Sequence, residues 1–312
     1  GIVAGRVRAT VNHHAAIDVG TVKLSALLLR DAKFFARTVD AEPLVDVAAD
    51  ATVDVGDPTT AGGHEVTVDT PLGAFDAAYL PWQWVGADAP TLIYHHGSGE
   101  RPFDFGRFSS NSFRRLFVES DERVPANVIA VRAPFHAGSN VEYARAMGDL
   151  ENFVGMLAAS AGLVEALAIR VGDRSAQPVL AAGISLGGFV TNVHRACFDH
   201  VDAYIPIFAG AALADLFVSS AYRALVADSA RRQSARLRET LDFVDSFTAV
   251  DDTDCYPLLA RHDQFVAFDR QRPSYDGLPL SVLDKGHVTG SLATSALRDH
   301  VLGVLSAHDD RS

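Results

Sequence analysis

Six short apolar runs, set well apart along the chain, constrain its fold more than any other feature. They are TLIYHH (91–96), NVIAVRAP (127–134), PVLAAGI (178–184), VDAYIPIFAG (201–210), YPLLARHD (256–263) and LPLSVLDK (278–285). Runs of this length, rich in Val, Ile, Leu and Ala, read as strands buried on both faces, which is how a helix-covered parallel sheet appears in sequence. Helical pattern falls between them over 113–119, 141–171, 189–198 and 211–250, and a closing helix follows the last over 292–306. Ahead of the six, HEVTVDT (64–70) alternates and FDAAYLPW (75–82) follows the turn Pro71-Leu72-Gly73, so the pair predicts a hairpin. The expectation is an α/β fold with a mainly parallel central sheet, an initial antiparallel hairpin and helices on both faces. One residue resists it: Pro206 cannot donate to a ladder, so its strand should be short, edge-like or bulged.

With 312 residues there is room for one large domain, or for one domain with an insertion. The 48% hydrophobic and 21% charged content is that of a globular chain rather than a disordered one. A formal charge of −12 argues against a general affinity for nucleic acid. Cys197 and Cys255 belong to no CxxC pair or His/Cys cluster, so neither a metal site nor a redox motif is expected. Two reduced thiols and no cleavable apolar leader suggest a cytoplasmic protein. No membrane span is expected, because the best stretch, 153–171, is interrupted by Glu165 and Arg170 and reads as a buried helix. Residues 1–63 are expected to form an N-terminal helical extension, helical over 17–38 and loosely structured over 40–63, ahead of a catalytic domain over 64–312.

The chemistry is signalled by Gly183-Ile184-Ser185-Leu186-Gly187-Gly188, at the end of one apolar run and the start of a helical one. A serine hydroxyl is a weak nucleophile unless a turn exposes it beside a base. Gly-x-Ser-x-Gly makes that turn by straining the serine between strand and helix, with glycines where side chains would collide. The N–H of Leu186, opening the helix, is then left free for a developing oxyanion.

With these elements in this order, the chain resembles the α/β-hydrolase superfamily over roughly residues 64–306. The resemblance implies a triad in the order serine, acid, histidine. The histidine should follow the last strand, where SVLDKGHVTG supplies His287; His95, His96, His194, His262, His300 and His308 stand at other points of the pattern. The acid should follow the preceding strand. There Ala260-Arg261-His262-Asp263 is similar to the family's Gly-x-x-Asp loop, with Ala260 in place of the glycine. Asp263 is therefore expected to orient His287, with Asp215, Asp269 and Asp284 as competitors. His95-His96-Gly97-Ser98-Gly99-Glu100 resembles the family's oxyanion loop, which implies the backbone N–H of Ser98 as partner to that of Leu186. Gly97, Gly99, Phe103, Phe105, Phe108, Phe135 and His136 are candidates for the substrate pocket. The 211–250 stretch, with Phe217 and Tyr222, falls where the family carries a helical cap.

The expected reaction is cleavage of a small-molecule carboxylic ester through an acyl-enzyme on Ser185, with no metal or organic cofactor. The alternatives are an amide or small-peptide hydrolase, with Glu100 available to a substrate ammonium, an acyltransferase, or a non-catalytic binder on the same fold.

Overall fold

Eight strands form one sheet in the computed structural model, which describes residues 12–309 apart from 30, 31, 107, 108, 110, 121, 252 and 253. In chain order they are β1 (His64–Thr70), β2 (Gly73–Gln83), β3 (Thr91–His95), β4 (Asn127–Arg132), β5 (Val179–Ile184), β6 (Ala203–Ile207), β7 (Leu258–Ala260) and β8 (Ser281–Leu283). Their spatial order is β1-β2-β4-β3-β5-β6-β7-β8. β2 runs antiparallel to both β1 and β4, and every other neighbouring pair is parallel. Successive side chains of the central strands enter opposite cores, as the two-residue period requires. Ile93, Ile129 and Ala181 face one; Leu92, Tyr94, Val128 and Leu180 face the other.

The helices are α1 (His13–Leu28), α2 (Leu44–Ala49), α3 (Asn140–Ala146), α4 (Leu150–Gly172), α5 (Leu186–Cys197), α6 (Ala214–Val218), α7 (Asp228–Arg231), α8 (Ser234–Leu241), α9 (Val244–Thr248), α10 (Phe268–Gln271), α11 (His287–Ser291) and α12 (Thr294–Asp309). α4 and α5 close the first face; α12 and a π-helical turn at Arg114–Val118 close the second. α4 is long and apolar enough to cross a bilayer, but 78% of its apolar window is buried within the protein, as a central packing helix would be. Neither Cys197 nor Cys255 forms a disulfide among the described residues.

Several elements differ from the sequence reading, each for a local reason. The helix expected over 141–171 is interrupted between α3 and α4. There residues 35–38 run alongside it: Phe35 and Arg37 donate to the carbonyls of Met147 and Gly148, and Leu150 donates to that of Thr38. The helix expected over 17–38 therefore ends at Leu28, and the chain beyond it is extended enough to form bridges at Phe34 and Thr38. Residues 40–63, expected to be loose, contain α2, whose Leu44, Val47 and Ala48 are buried. The stretch 211–250 is four short helices and a 3-10 turn at Ala221–Leu225 rather than one long helix.

Pro206 lies in an interior strand, not an edge. Tyr204 in β6 and Phe208 just after it donate to the carbonyls of Asp254 and Leu258, so the alternation points the missing Pro206 donor at the carbonyl of Tyr256. The His300 imidazole, from α12, bonds that carbonyl instead, at 2.9 Å.

Candidate active site

Ser185 sits between β5 and α5 with φ 54° and ψ −110°, outside the comfortable regions for a residue with a side chain. The flanking glycines make this turn possible. A Cβ on Gly183 would overlap the backbone of Gly187, and one on Gly187 would overlap the carbonyl of His95 on β3. The strain is therefore held by strand and helix pressing together at positions that admit only hydrogen.

The Ser185 hydroxyl lies 3.0 Å from Nε2 of His287, and Nδ1 of the same ring lies 2.7 Å from Oδ2 of Asp263. The other Asp263 oxygen accepts the N–H groups of Phe265 and Val266, both at 2.8 Å. Because those donors and a buried site favour Nδ1–H toward the carboxylate, Nε2 is left to accept from the serine. The imidazole stacks on Phe265, centroids 4.7 Å apart. Burial lowers the basicity of His287, but the charge and hydrogen bond of Asp263, with a contribution from Asp18, outweigh it, and the group is raised above its ordinary value. Burial also pushes Asp263 upward, against the pull of His287. Three donors converge on the Asp263 oxygens and stabilise its charge, which in turn favours the protonated imidazole.

The loop after β3 is held by neutral histidines. His96 Nε2 accepts the N–H of Ala133 and its Nδ1 bonds the carbonyl of Gly97; His136 Nε2 accepts the N–H of Gly99 and its Nδ1 bonds the carbonyl of Pro134. A backbone N–H can only donate, which fixes both rings as Nδ1–H tautomers. Burial lowers His95 to about 3 and His136 to about 4, and His96 well below its ordinary value. Glu100 completes the scaffold, accepting from Gly97 N–H at 3.2 Å and from the Ser112 hydroxyl at 2.5 Å. With Gly97 and Gly99 engaged, the backbone N–H groups of Ser98 and Leu186 are left without a partner among the described residues.

These groups open onto a cavity of about 290 Å³, lined by Ser98, Tyr143 and Leu186 and by the aromatic rings of Phe34, Phe153 and Phe217, among others. Gly97, Ser98 and Phe217, named as candidates from the sequence, line this cavity, as do Leu213, Leu216 and Tyr222 from the 211–250 stretch. Phe103, Phe135, Gly99 and His136, expected at the pocket, do not line it. Phe103 packs toward the core of the second sheet face, with Arg132 over its ring; Phe135 meets Phe75 edge-on in a separate surface groove; Gly99 and His136 bond each other behind the loop. Phe105 packs on Trp82, and Phe108 lies outside the described residues. The competing carboxylates are occupied elsewhere: Asp215 pairs with Arg238 at 2.6 Å and Asp284 with His262 at 2.7 Å, while Asp269 is exposed on α10.

The sequence reading missed Asp18, wholly buried on α1, whose carboxylate accepts from the backbone of Gln264, His287 and Val288. The available signal was His14, Asp18 and Val22 at a spacing of four, which are the buried residues of that helix. It also missed Phe34 and Tyr143, whose hydroxyl lies 2.7 Å from that of Ser98.

No family model matches the chain, and no curated protein matches it in sequence. Solved structures do match. An esterase of Pyrococcus furiosus, Pf2001, is 16% identical and superimposes with a TM-score of 0.53, over 83% of this chain and 98% of that one. An acylaminoacyl peptidase of Pyrococcus horikoshii is 16% identical, with a TM-score of 0.50 over 80% of this chain. The match spans only 41% of the peptidase's length. At this identity the likeness speaks for architecture. Sheet order, initial antiparallel strands, helical layers and these superpositions agree, and the chain has the α/β-hydrolase fold.

Proposed function

We propose that the protein is a serine hydrolase that cleaves carboxylic esters with an apolar acyl group, Ser185 being the nucleophile, His287 the general base and Asp263 the orienting acid. The observation that carries this reading is the continuous hydrogen-bonded line from Asp263 through His287 to a strained, pocket-facing Ser185. As Ser185 Oγ attacks the ester carbonyl, His287 Nε2 takes its proton, and Asp263 stabilises the imidazolium. The N–H groups of Leu186 and Ser98 face the oxyanion, each such donor being worth about 3 kcal/mol in the transition state. His287 then protonates the leaving alkoxide, and a water deprotonated by the same ring releases the acid. An acyltransferase would share the first half of this cycle.

The ester reading is preferred over a peptidase that binds a free ammonium, because Glu100 is already committed to Gly97, Ser112 and Arg115. The cavity's rings and aliphatic side chains suit an uncharged acyl chain. The reading is tested with p-nitrophenyl esters of increasing chain length set against aminoacyl anilides. Esters should turn over, anilides should not, and Ser185→Ala should lose about 10⁴-fold or more in kcat. Turnover of anilides alone would transfer the reading to a peptidase.

A further inference from the structure

Asp18 is 269 residues from His287 in sequence, yet its carboxylate touches both loops that carry the proposed base and acid. Oδ2 accepts the N–H of His287 at 2.8 Å and of Gln264, next to Asp263, at 3.1 Å; Oδ1 accepts the N–H of Val288 at 2.9 Å. We propose that Asp18 is a positioning residue, a clamp from the N-terminal helix that fixes the separation and orientation of His287 and Asp263. The proposal rests on the serine-hydrolase reading for its effect on turnover, though not for its geometry.

The local physics explains why a clamp is needed. α11 begins at His287, so the N–H groups of His287 and Val288 have no intrahelical acceptor. An N-cap side chain commonly supplies one, but the residue there is Gly286. A side chain at 286 would be excluded in any case: its Cβ would lie 2.8 Å from Oδ2 of Asp18 and 2.9 Å from the carbonyl of His14. The cap thus comes from another helix, and the glycine leaves room for it. Thr289 adds a second tie. Its hydroxyl accepts the N–H of Gly286 at 3.0 Å and lies 2.9 Å from Nδ1 of His14, one turn before Asp18.

Apolar burial seats α1 only in part, through Val22 in the core and Ala26 packed against it. Ile17, Leu24, Leu27 and Leu28 are exposed, and two of its three buried side chains are polar. The contact is therefore specific in direction, as a positioning strut must be. A charge on Asp18 also favours the protonated ring of His287. The groups that bond this ring are Asp263 and Ser185, with Phe265 and Phe208 across its faces and the Asp18 charge acting from the His287 backbone; His13, His262, Lys285 and Asp284 stand around His14 beside the clamp.

Asp18→Asn keeps the shape but turns an NH2 toward at least one backbone donor and removes the charge. It should lower kcat on p-nitrophenyl butyrate by about ten- to a hundredfold with KM changed little. The His287 imidazole, followed by NMR in labelled protein, should titrate at lower pH than in the wild type. Asp18→Glu, retaining the charge, should titrate nearer the wild type. Leu24→Gln, on the outer face of the same helix, should change neither quantity. In the wild type, the amides of His287 and Val288 should exchange slowly with deuterium despite standing in a first helical turn, a readout that does not depend on any variant folding. Rapid exchange of both amides, or an Asn variant with wild-type kcat and imidazole midpoint, would overturn the clamp. Should the wild type cleave no ester while those amides are protected and the imidazole midpoint moves in the Asn variant, the clamp stands and the hydrolase reading falls.

Discussion

Three buried carboxylates near the site are satisfied in three ways, and their environments assign them different work. Asp263 receives an imidazole and two backbone N–H groups; Asp215 receives the Arg238 guanidinium and the Ser219 hydroxyl; Asp18 receives backbone donors alone. Asp263→Asn would present an amide to Nδ1 and favour the wrong tautomer, so kcat should fall by about 10³- to 10⁴-fold with the fold intact. Asp215→Asn should leave kcat within a few-fold and cost about 1 kcal/mol of stability, since its arginine partner is partly exposed. Steady-state kinetics and urea unfolding of the two variants check this; loss of turnover in Asp215→Asn alone would transfer the acid to that position. Ser185 was legible from its Gly-x-Ser-x-Gly turn, and His287 and Asp263 from the places after strand ends that the family resemblance implies for base and acid. Asp18 was not, because one acid on an amphipathic helix gives no sign of which loop it will meet.

At the level of elements, sequence pattern identified the strands better than the helices. Strands such as β3 and β5 are buried on both faces, and their apolar runs announce it. The break between α3 and α4 has no such mark: it exists because residues 35–38 supply hydrogen bonds from over a hundred positions away. Pro206 shows how a local rule yields to a distant partner. The His300 imidazole, bonded to the Tyr256 carbonyl, compensates for the donor that proline lacks. His300→Ala removes that compensation and should cost about 1–2 kcal/mol without affecting kcat, as read from the urea midpoint and ester turnover. An unchanged midpoint would mean that the carbonyl finds another donor, and that Pro206 needs no compensation from α12.

For the whole molecule, the pocket is assembled from remote parts of the chain: Phe34 before the sheet, Ser98 after β3, Tyr143 on α3, Phe217 on α6, Phe265 after β7 and His287 on α11. Such a site is lost when the body loosens, and acid should loosen it. His95 and His136 have folded values depressed to about 3 and about 4, below the unfolded value near 6.5. Their stabilising contribution is complete above pH 6.5 and is lost as pH falls toward those values, about 2.5 kcal/mol for each by pH 4.5. His287, raised in the folded state, acts in the opposite sense: its contribution is present below pH 6.5 and is lost as pH rises through its folded value. With His96 depressed as well, three lowered histidines against one raised predict a melting temperature lower at pH 4.5 than at pH 7, and a melting temperature that holds or rises would contradict this balance. The claim on which the account depends, that Ser185 is an activated nucleophile, is tested most directly by fluorophosphonate labelling read by peptide mass spectrometry. One adduct per chain, on Ser185 and absent from folded Ser185→Ala, is the predicted result; a folded wild-type protein that takes no label, or takes it at another residue, is the contradicting one.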